Sequence, residues 1–128
     1  RVVSDRFECP TYACAVADTL LNLVGRSTEI DANDAWGTYH YCGTPVTTWH
    51  NFVSAIIEQA QTFEALRVQT ITAIATADYP TPAARPANSV LDSSRLSFCF
   101  GILPRPWRDG LHALLVALHA DGSKRPAG

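Results

Sequence analysis

Residues 79–92 read YPTPAARPANSVLD, the most distinctive stretch of the chain. It contains three prolines within seven residues and one arginine, Arg85, among small neutral side chains. Proline fixes φ and pushes the preceding residue toward extended conformations, so the loop has little freedom to lose when it orders. Two interpretations follow. The loop is either a stiff connector or a preorganised segment whose guanidinium binds an anionic ligand.

Strand patterns precede this loop. Residues 68–75 alternate as a strand does, with a weak preference between the two faces, and residues 2–5 predict a short strand at the start. Residues 37–43 read GTYHYCG, a β-rich run between two glycines. The sequence therefore predicts three or four short strands.

Helix patterns fill most of the remaining segments, each marked by a proline, a threonine or serine cap, or a terminating glycine. The four predicted helices are residues 10–24 ending at Gly25, residues 49–61 capped by Thr47 or Thr48, a short helix from Ser93 or Ser94 to Gly101, and a last helix that begins at Pro106. Their predicted inner faces carry Ala13, Val16, Ala17, Leu20, Leu21 and Val24, then Phe52, Val53, Ile56, Ile57 and Ala60, then Leu96 and Phe100, then Leu111, Leu114, Leu115 and Leu118.

Strands that alternate with helices indicate an α/β fold. About four helices with three or four short strands do not complete a doubly wound sheet, so the pattern is typical of a partial domain. We expect this domain to occupy residues 1–120. Residues 26–36 predict a polar surface loop, and residues 121–128 predict a disordered tail.

Composition excludes several classes of protein. The net charge of −2 over 128 residues argues against a general nucleic-acid binder, and no apolar run reaches the roughly 18 residues that span a bilayer. The start lacks the apolar stretch of a signal peptide, and the absence of Met suggests a trimmed segment. The cysteines show no zinc spacing and are interpreted as buried, reduced thiols of a cytosolic protein. They are Cys9, Cys14, Cys42 and Cys99.

The usual catalytic motifs are absent from the sequence. It has no glycine-rich nucleotide loop, no Gly-x-Ser-x-Gly elbow, no His-Glu-x-x-His pair and no Tyr-x-x-x-Lys, the only lysine being Lys124. The histidines are interpreted as structural, and no metal site is predicted. They are His40, His50, His112 and His119. By its own inventory the chain carries no catalytic residue.

Four segments, in order, resemble the C-terminal part of the dTDP-4-dehydrorhamnose reductases, a family of extended short-chain dehydrogenases. They are RVVSDRF with CPTYA (1–13), GTYHYCG with TW and F (37–52), YPTPA with RP, NS and LD (79–92), and FGI with LP, WR and GL (100–111). Together they cover nearly the whole chain to about Leu118. The resemblance implies a partial Rossmann-like fold, namely the substrate lobe of such a reductase.

The resemblance also implies a reaction. Members of this family reduce the 4-keto group of dTDP-4-dehydro-L-rhamnose to dTDP-L-rhamnose with NADPH or NADH. Their N-terminal half supplies the cofactor loop and a Tyr-x-x-x-Lys pair, in which the tyrosine donates a proton. Neither feature occurs in this sequence, so we expect the 128-residue chain to be inactive by itself, in a cytoplasmic pathway of nucleotide-sugar chemistry.

Substrate-binding residues are carried over by the same resemblance. Arg85 is the expected ligand of the diphosphate, Asn88 and Ser89 are expected hydrogen-bond donors, and Tyr79 offers an aromatic face. A second segment, the helix start formed by Pro10, Thr11 and Tyr12, is expected to border the same cleft. All of these residues would serve a dTDP-linked deoxysugar.

Three residues depart from the family pattern. Ala84 replaces the first arginine of Arg-Arg-Pro, Glu8 replaces a glycine, and Ala15 replaces an aspartate. These departures leave two alternatives open. One is a non-catalytic relative acting as a partner subunit, as the regulatory subunit of methionine adenosyltransferase does, and the other is a stand-alone nucleotide-sugar-binding module.

An apolar surface is expected where a Rossmann half would pack. We expect it around Val2, Val3 and the run 39–41. Such surfaces tend to recruit a partner, so self-association or pairing with a Rossmann half is predicted.

Overall fold

The computed structural model describes residues 1–26, 36–68 and 70–122. Within these ranges the helices are α1 (Ala13–Arg26), α2 (Trp49–Ala60), α3 (Ser94–Phe100) and α4 (Trp107–Gly122). The strands are β1 (Val2–Val3), β2 (Phe7–Glu8), β3 (Thr47–Thr48) and β4 (Ala73–Ile74), and a 3₁₀ turn follows at Thr76–Asp78. The predicted α/β class, with four helices and four short strands, is confirmed.

Two small sheets join distant parts of the chain. β1 pairs with β4 in parallel, with Val2 opposite Ala73, and the backbone N–H of Ser4 extends this pairing to the carbonyl of Ile74 at 3.0 Å. β2 pairs with β3 in the antiparallel sense. The strand predicted over 68–75 is thus short, because pairing with β1 covers only its C-terminal part.

The core lies between α2 and α4. It is built from Ala55, Ala60, Trp107, Leu111 and Leu115, with Phe52, Ile56 and Leu66 packed against it. The Phe52 and Trp107 rings meet edge to face at 5.5 Å, and the indole N–H of Trp107 donates to the Pro45 carbonyl at 2.9 Å. These contacts satisfy the polar atom of the largest core side chain.

The start of α2 and the end of α3 agree with the sequence signals, whereas Ser93, at the N-cap of α3, makes no side-chain cap bond because its hydroxyl accepts from Cys42 N–H. Thr48 caps α2, since its hydroxyl accepts a hydrogen bond from the backbone N–H of Asn51 at 3.2 Å. Gly101 ends α3 with φ of 62°, a left-handed conformation that glycine adopts without a steric penalty. Leu96 and Phe100 are buried, as predicted.

The inner face predicted for α1 is wrong. Ala15 and Thr19 are buried, whereas Leu20 is 57% exposed and Leu21 and Val24 are each 72% exposed. Small side chains let this helix approach the rest of the fold closely, so the large apolar side chains point the other way. The exposed group, named the α1 apolar stripe, comprises Val16, Leu20, Leu21 and Val24.

Other sequence predictions also need correction. Helix α1 continues past Gly25 to Arg26, whose guanidinium donates to the Phe100 carbonyl. In α4, Leu111 and Leu115 are buried, but Leu114 and Leu118 are 44% and 58% exposed. Leu114 lines a cavity beside Tyr12 instead of entering the core.

The β-rich run at 37–43 does not form a strand. Its backbone groups bond to side chains from separate elements: Cys42 N–H donates to the Ser93 hydroxyl at 3.3 Å, and Gly43 N–H to the Thr11 hydroxyl at 3.0 Å. Because these partners are not a neighbouring strand, no ladder forms.

Some predictions meet residues whose structure is not described. The surface loop predicted over 26–36 falls mostly on 27–35, which lie outside the described residues. The first two residues of the tail predicted over 121–128 belong to α4, and residues 123–128 lie outside the described residues. All four cysteines are free thiols in the structure, but the prediction that they are buried holds only for Cys42, since Cys9 and Cys99 are half-buried and Cys14 is exposed.

Candidate functional site

A cavity of about 260 Å³ lies beside the parallel pair of β1 and β4. Its lining combines cationic and aromatic side chains with the exits of both strands. The lining residues are Arg1, Val2, Val3, Arg6, Trp49, Ile74, Thr76, Tyr79, Thr81 and Arg85. This arginine cavity brings together two of the residues selected from the sequence, Arg85 and Tyr79.

The exits of β1 and β4 are joined by three side chains, the Asp5–Thr76–Arg6 clasp. The Thr76 backbone N–H donates to both carboxylate oxygens of Asp5 at 3.0 Å, and the Thr76 hydroxyl donates to Asp5 Oδ1 at 2.7 Å. Arg6 Nε donates to that same hydroxyl at 2.8 Å. The bonds from Thr76 are the main cause that lowers the pKa of Asp5 below its ordinary value of 3.8.

The clasp extends to the proline loop through Arg6. Arg6 Nη1 donates to the carbonyl of Pro86 at 3.5 Å, so one guanidinium connects the exit of β1 with the residue next to Arg85. The loop is therefore attached to the strand ends close to the cavity.

Asn88 and Ser89 hold the loop rather than line the arginine cavity. Phe7 N–H donates to the Ala87 carbonyl at 2.9 Å, and the Phe7 carbonyl accepts from Ser89 N–H at 3.0 Å and from the Ser89 hydroxyl at 3.3 Å. The Asn88 side-chain oxygen accepts from Val90 N–H at 2.9 Å. Both side chains thus have local structural partners, and their proposed contact with substrate stays a prediction.

The cavity has an unbalanced positive charge within the described structure. Across residues 1–26, 36–68 and 70–122, the ion pairs are Arg105 with Asp18 and Arg108 with Glu58, so none involves Arg1, Arg6 or Arg85. Arg85 is exposed on a loop whose prolines restrict its backbone. Guanidinium groups without carboxylate partners favour an anionic ligand at this place.

The structure does not bring Pro10, Thr11 and Tyr12 to the arginine cavity. Thr11 donates through its hydroxyl to the Cys9 carbonyl at 3.0 Å and accepts from Gly43 N–H at 3.0 Å. Thr11 and Tyr12 line two separate cavities, of about 210 and 250 Å³, that they share with Trp107. Their role in a common cleft stays a prediction.

Arg6, Thr76 and Trp49 line the arginine cavity but were not selected from the sequence. A signal existed for the first two, because each follows a predicted strand. Parallel strands place their carboxyl ends at the same edge, where ligands commonly bind. This signal marks a common site only because β1 pairs with β4, and neither segment alone reveals that pairing.

The residues of this chain do not fit a dinucleotide. The described helices begin after Tyr12, Thr48, Ser93 and Pro106, and none follows the glycine-rich turn that lets a backbone approach a pyrophosphate. In the described ranges, moreover, no three His, Cys, Asp or Glu side chains cluster as metal ligands would. The described helices also include none that is long and apolar enough to cross a membrane.

A family described as RmlD substrate binding domain matches residues 1–120. This chain belongs to that family. The residues that match this family line the arginine cavity and the two cavities around Thr11 and Tyr12.

Relatives that match this chain include proteins named dTDP-4-dehydrorhamnose reductase. The dTDP-4-dehydrorhamnose reductase of Aggregatibacter actinomycetemcomitans is 38% identical over 111 residues, which are 86% of this chain and 37% of the relative. The crystal structure of the reductase from Clostridium acetobutylicum aligns with a TM-score of 0.76 at 25% identity, covering 91% of this chain and 38% of that one. The Bacillus anthracis reductase, solved in complex with NADP, aligns with a TM-score of 0.74 at 26% identity, covering 91% and 37%.

The RmlD substrate-binding domain described here therefore spans less than two fifths of the length of these relatives. The likeness confirms the family predicted from the four sequence segments and the partial Rossmann-related α/β fold.

Proposed function

We propose that this chain is the substrate-binding part of a dTDP-4-dehydrorhamnose reductase and that the arginine cavity receives the diphosphate of the dTDP-linked sugar. The observation that carries the proposal is the meeting of Arg85 and Tyr79 in one cavity with further arginines, in a chain of this family. The guanidinium supplies planar donors for phosphate oxygens, and the tyrosine supplies a ring for the sugar or the base.

The size of the cavity supports a shared site. Complete small-molecule pockets measure roughly 300–1,000 Å³, and the arginine cavity of about 260 Å³ is smaller. It therefore suits a part of a nucleotide sugar. We propose that the reacting ring and an NADPH cofactor are held by another part of the reductase, which acts in the cytoplasm.

The isolated chain is not expected to catalyse the reduction. The proton-donating Tyr-x-x-x-Lys pair is absent from the sequence, and the described helix starts do not fit a dinucleotide. The 128-residue chain should therefore show no oxidation of NADPH with dTDP-4-dehydrorhamnose above background. Turnover by the purified chain, followed at 340 nm, would contradict this division of labour.

Binding gives the direct test. Calorimetry of the chain with dTDP should show an affinity that falls about tenfold in Arg85→Gln, since a charge-assisted hydrogen bond to phosphate is lost. Arg67→Gln is the matched control, because Arg67 is exposed and does not line the cavity. Equal affinities of Arg85→Gln and the parent chain would refute the proposed role of the loop.

A second titration, with dTDP-L-rhamnose, separates the alternatives. A stand-alone nucleotide-sugar module would bind dTDP-L-rhamnose about as tightly as a complete reductase does, since no other part would be needed. A partner subunit without substrate function would bind neither ligand through Arg85.

A further inference from the structure

Arg6 occupies a particular position between a strand end and the proline loop. Its Nε donates to the Thr76 hydroxyl at 2.8 Å and its Nη1 donates to the Pro86 carbonyl at 3.5 Å. A guanidinium has five N–H donors, so these two bonds leave three for another partner. The side chain is half-buried and lines the cavity that Arg85 also lines.

Hydrogen bonds from Thr76 are the main cause of the lowered pKa of the neighbouring Asp5 carboxyl, and the charge of Arg6 contributes to it. Both carboxylate oxygens of Asp5 accept hydrogen bonds from Thr76, and within the described ranges Asp5 and Arg6 form no ion pair. The cavity therefore presents three guanidinium groups: that of Arg1 before β1, that of Arg6 held at the exit of β1, and that of Arg85 on the rigid loop.

We propose that Arg6 is a second phosphate-binding residue and that, with Arg85, it selects a diphosphate over a monophosphate. The ligand class is a nucleoside diphosphate, whose two phosphates each meet one guanidinium. Exposed rings at the same cavity, Trp49 at 42% and Tyr79 at 60%, offer stacking faces for the base. The inference deepens the proposed function and rests on it for the choice of thymidine as the nucleoside.

The test compares three probes by calorimetry: inorganic pyrophosphate, dTDP and dTMP. Arg6→Gln should weaken pyrophosphate and dTDP about tenfold, because one charged partner of the second phosphate is lost, and should leave dTMP within about twofold. Arg67→Gln, an exposed arginine outside the cavity, should bind all three as the parent chain does.

A further variant separates binding from loop positioning. Thr76→Val removes the hydroxyl of the clasp and keeps the guanidinium of Arg6, so its dTDP affinity should stay within about threefold of the parent. If Arg6→Gln does not fold by circular dichroism, Arg6→Lys replaces it. The lysine should lower the preference for dTDP over dTMP, since an ammonium lacks the planar fork.

Several results would overturn the inference. For Arg6→Gln, these results are an unchanged dTDP affinity or an equal loss of affinity for dTMP and dTDP. For the other variants, they are a loss of dTDP affinity in Thr76→Val as large as in Arg6→Gln, or an unchanged preference for dTDP over dTMP in Arg6→Lys where that variant is used. A parent chain that binds no pyrophosphate would also overturn the inference.

The outcome also distinguishes the two proposals. Arg6-dependent binding of ADP as tight as that of dTDP would support the inference and contradict the reductase assignment. Binding of dTDP that depends on Arg85 but not on Arg6 would contradict the inference and support the reductase assignment.

Discussion

Gly43 lies where two segments of backbone meet. A Cβ atom on this residue would overlap the carbonyl oxygen of Pro10 and lie 3.2 Å from Trp107 Cβ. A backbone atom cannot move aside as a flexible side chain can. We therefore expect Gly43→Ala to lower the free energy of unfolding by about 2 kcal/mol or more, the range of overpacked sites, measured by urea denaturation.

Gly25 provides the matched control. It lies within α1, and no atom of the described residues lies within 4 Å of a Cβ placed there. Alanine at this position should raise the free energy of unfolding by about 0.5–1 kcal/mol, because glycine loses more backbone entropy in a helix. If both alanine variants unfold at the same urea concentration, the close approach at Gly43 is not a constraint on stability.

Single residues could be selected from sequence only where their local neighbours mark them. Arg85 stands out because prolines surround it, and the structure places it in a cavity. Arg6 and Thr76 have no such marker. They meet because β1 pairs with β4 across about 70 residues, and this pairing is not encoded in either segment alone.

The clasp that joins the exits of β1 and β4 has a pH dependence. Hydrogen bonds from Thr76 lower the pKa of Asp5, so the ionised carboxylate is favoured in the folded chain. A lowered carboxyl pKa contributes stability that is complete above the ordinary value of 3.8 and is lost as pH falls through the lower folded value.

Thr76→Val removes the hydroxyl bond to Asp5 and keeps the larger contribution of the backbone N–H, so it should raise the pKa of Asp5 only part of the way toward 3.8 and make acid unfolding begin at a slightly higher pH. The carboxyl carbon resonance of Asp5, followed by NMR during an acid titration, measures the first effect directly. Thr70→Val, at an exposed threonine outside the clasp, is the control. An unchanged Asp5 pKa in Thr76→Val would show that the Thr76 hydroxyl does not stabilise the carboxylate.

Elements with local end signals were predicted well. Helices α2 and α3 lie where the sequence placed them, because Thr48 and Gly101 specify their ends through bonds and dihedral angles of the segment itself. The face of α1 and the run 37–43 were mispredicted for a common reason. Their environment depends on contacts with distant segments, and periodicity alone does not specify which side a helix buries.

At the scale of the whole molecule, the α1 apolar stripe is the largest departure from expectation. The exposed surface was predicted around Val2, Val3 and residues 39–41, but Val2, Val3, Tyr39 and Tyr41 are half-buried. Exposed apolar surface of this kind is typical of interaction sites. Because the chain spans 37% of its Aggregatibacter relative, we propose that the stripe is covered in the complete protein or by a second copy.

We expect the isolated chain to self-associate with rising concentration in light scattering. The double variant Leu20→Gln with Leu21→Gln should shift it toward the monomer, because it removes apolar area at residues that are 57% and 72% exposed. Leu103→Gln, also 72% exposed but outside the stripe, should leave the association unchanged. A monomeric parent chain at all concentrations would contradict the proposal.

The parallel pairing of β1 has a practical consequence for handling the protein. Val2 is hydrogen-bonded to Thr72, and Arg1 and Val2 line the arginine cavity. Any residues placed before Arg1 therefore emerge at the rim of that cavity. An affinity tag there would compete with ligand for access, and an acidic tag would occupy the arginines itself. Ligand titrations are best made with the purification tag cleaved or moved to the other terminus.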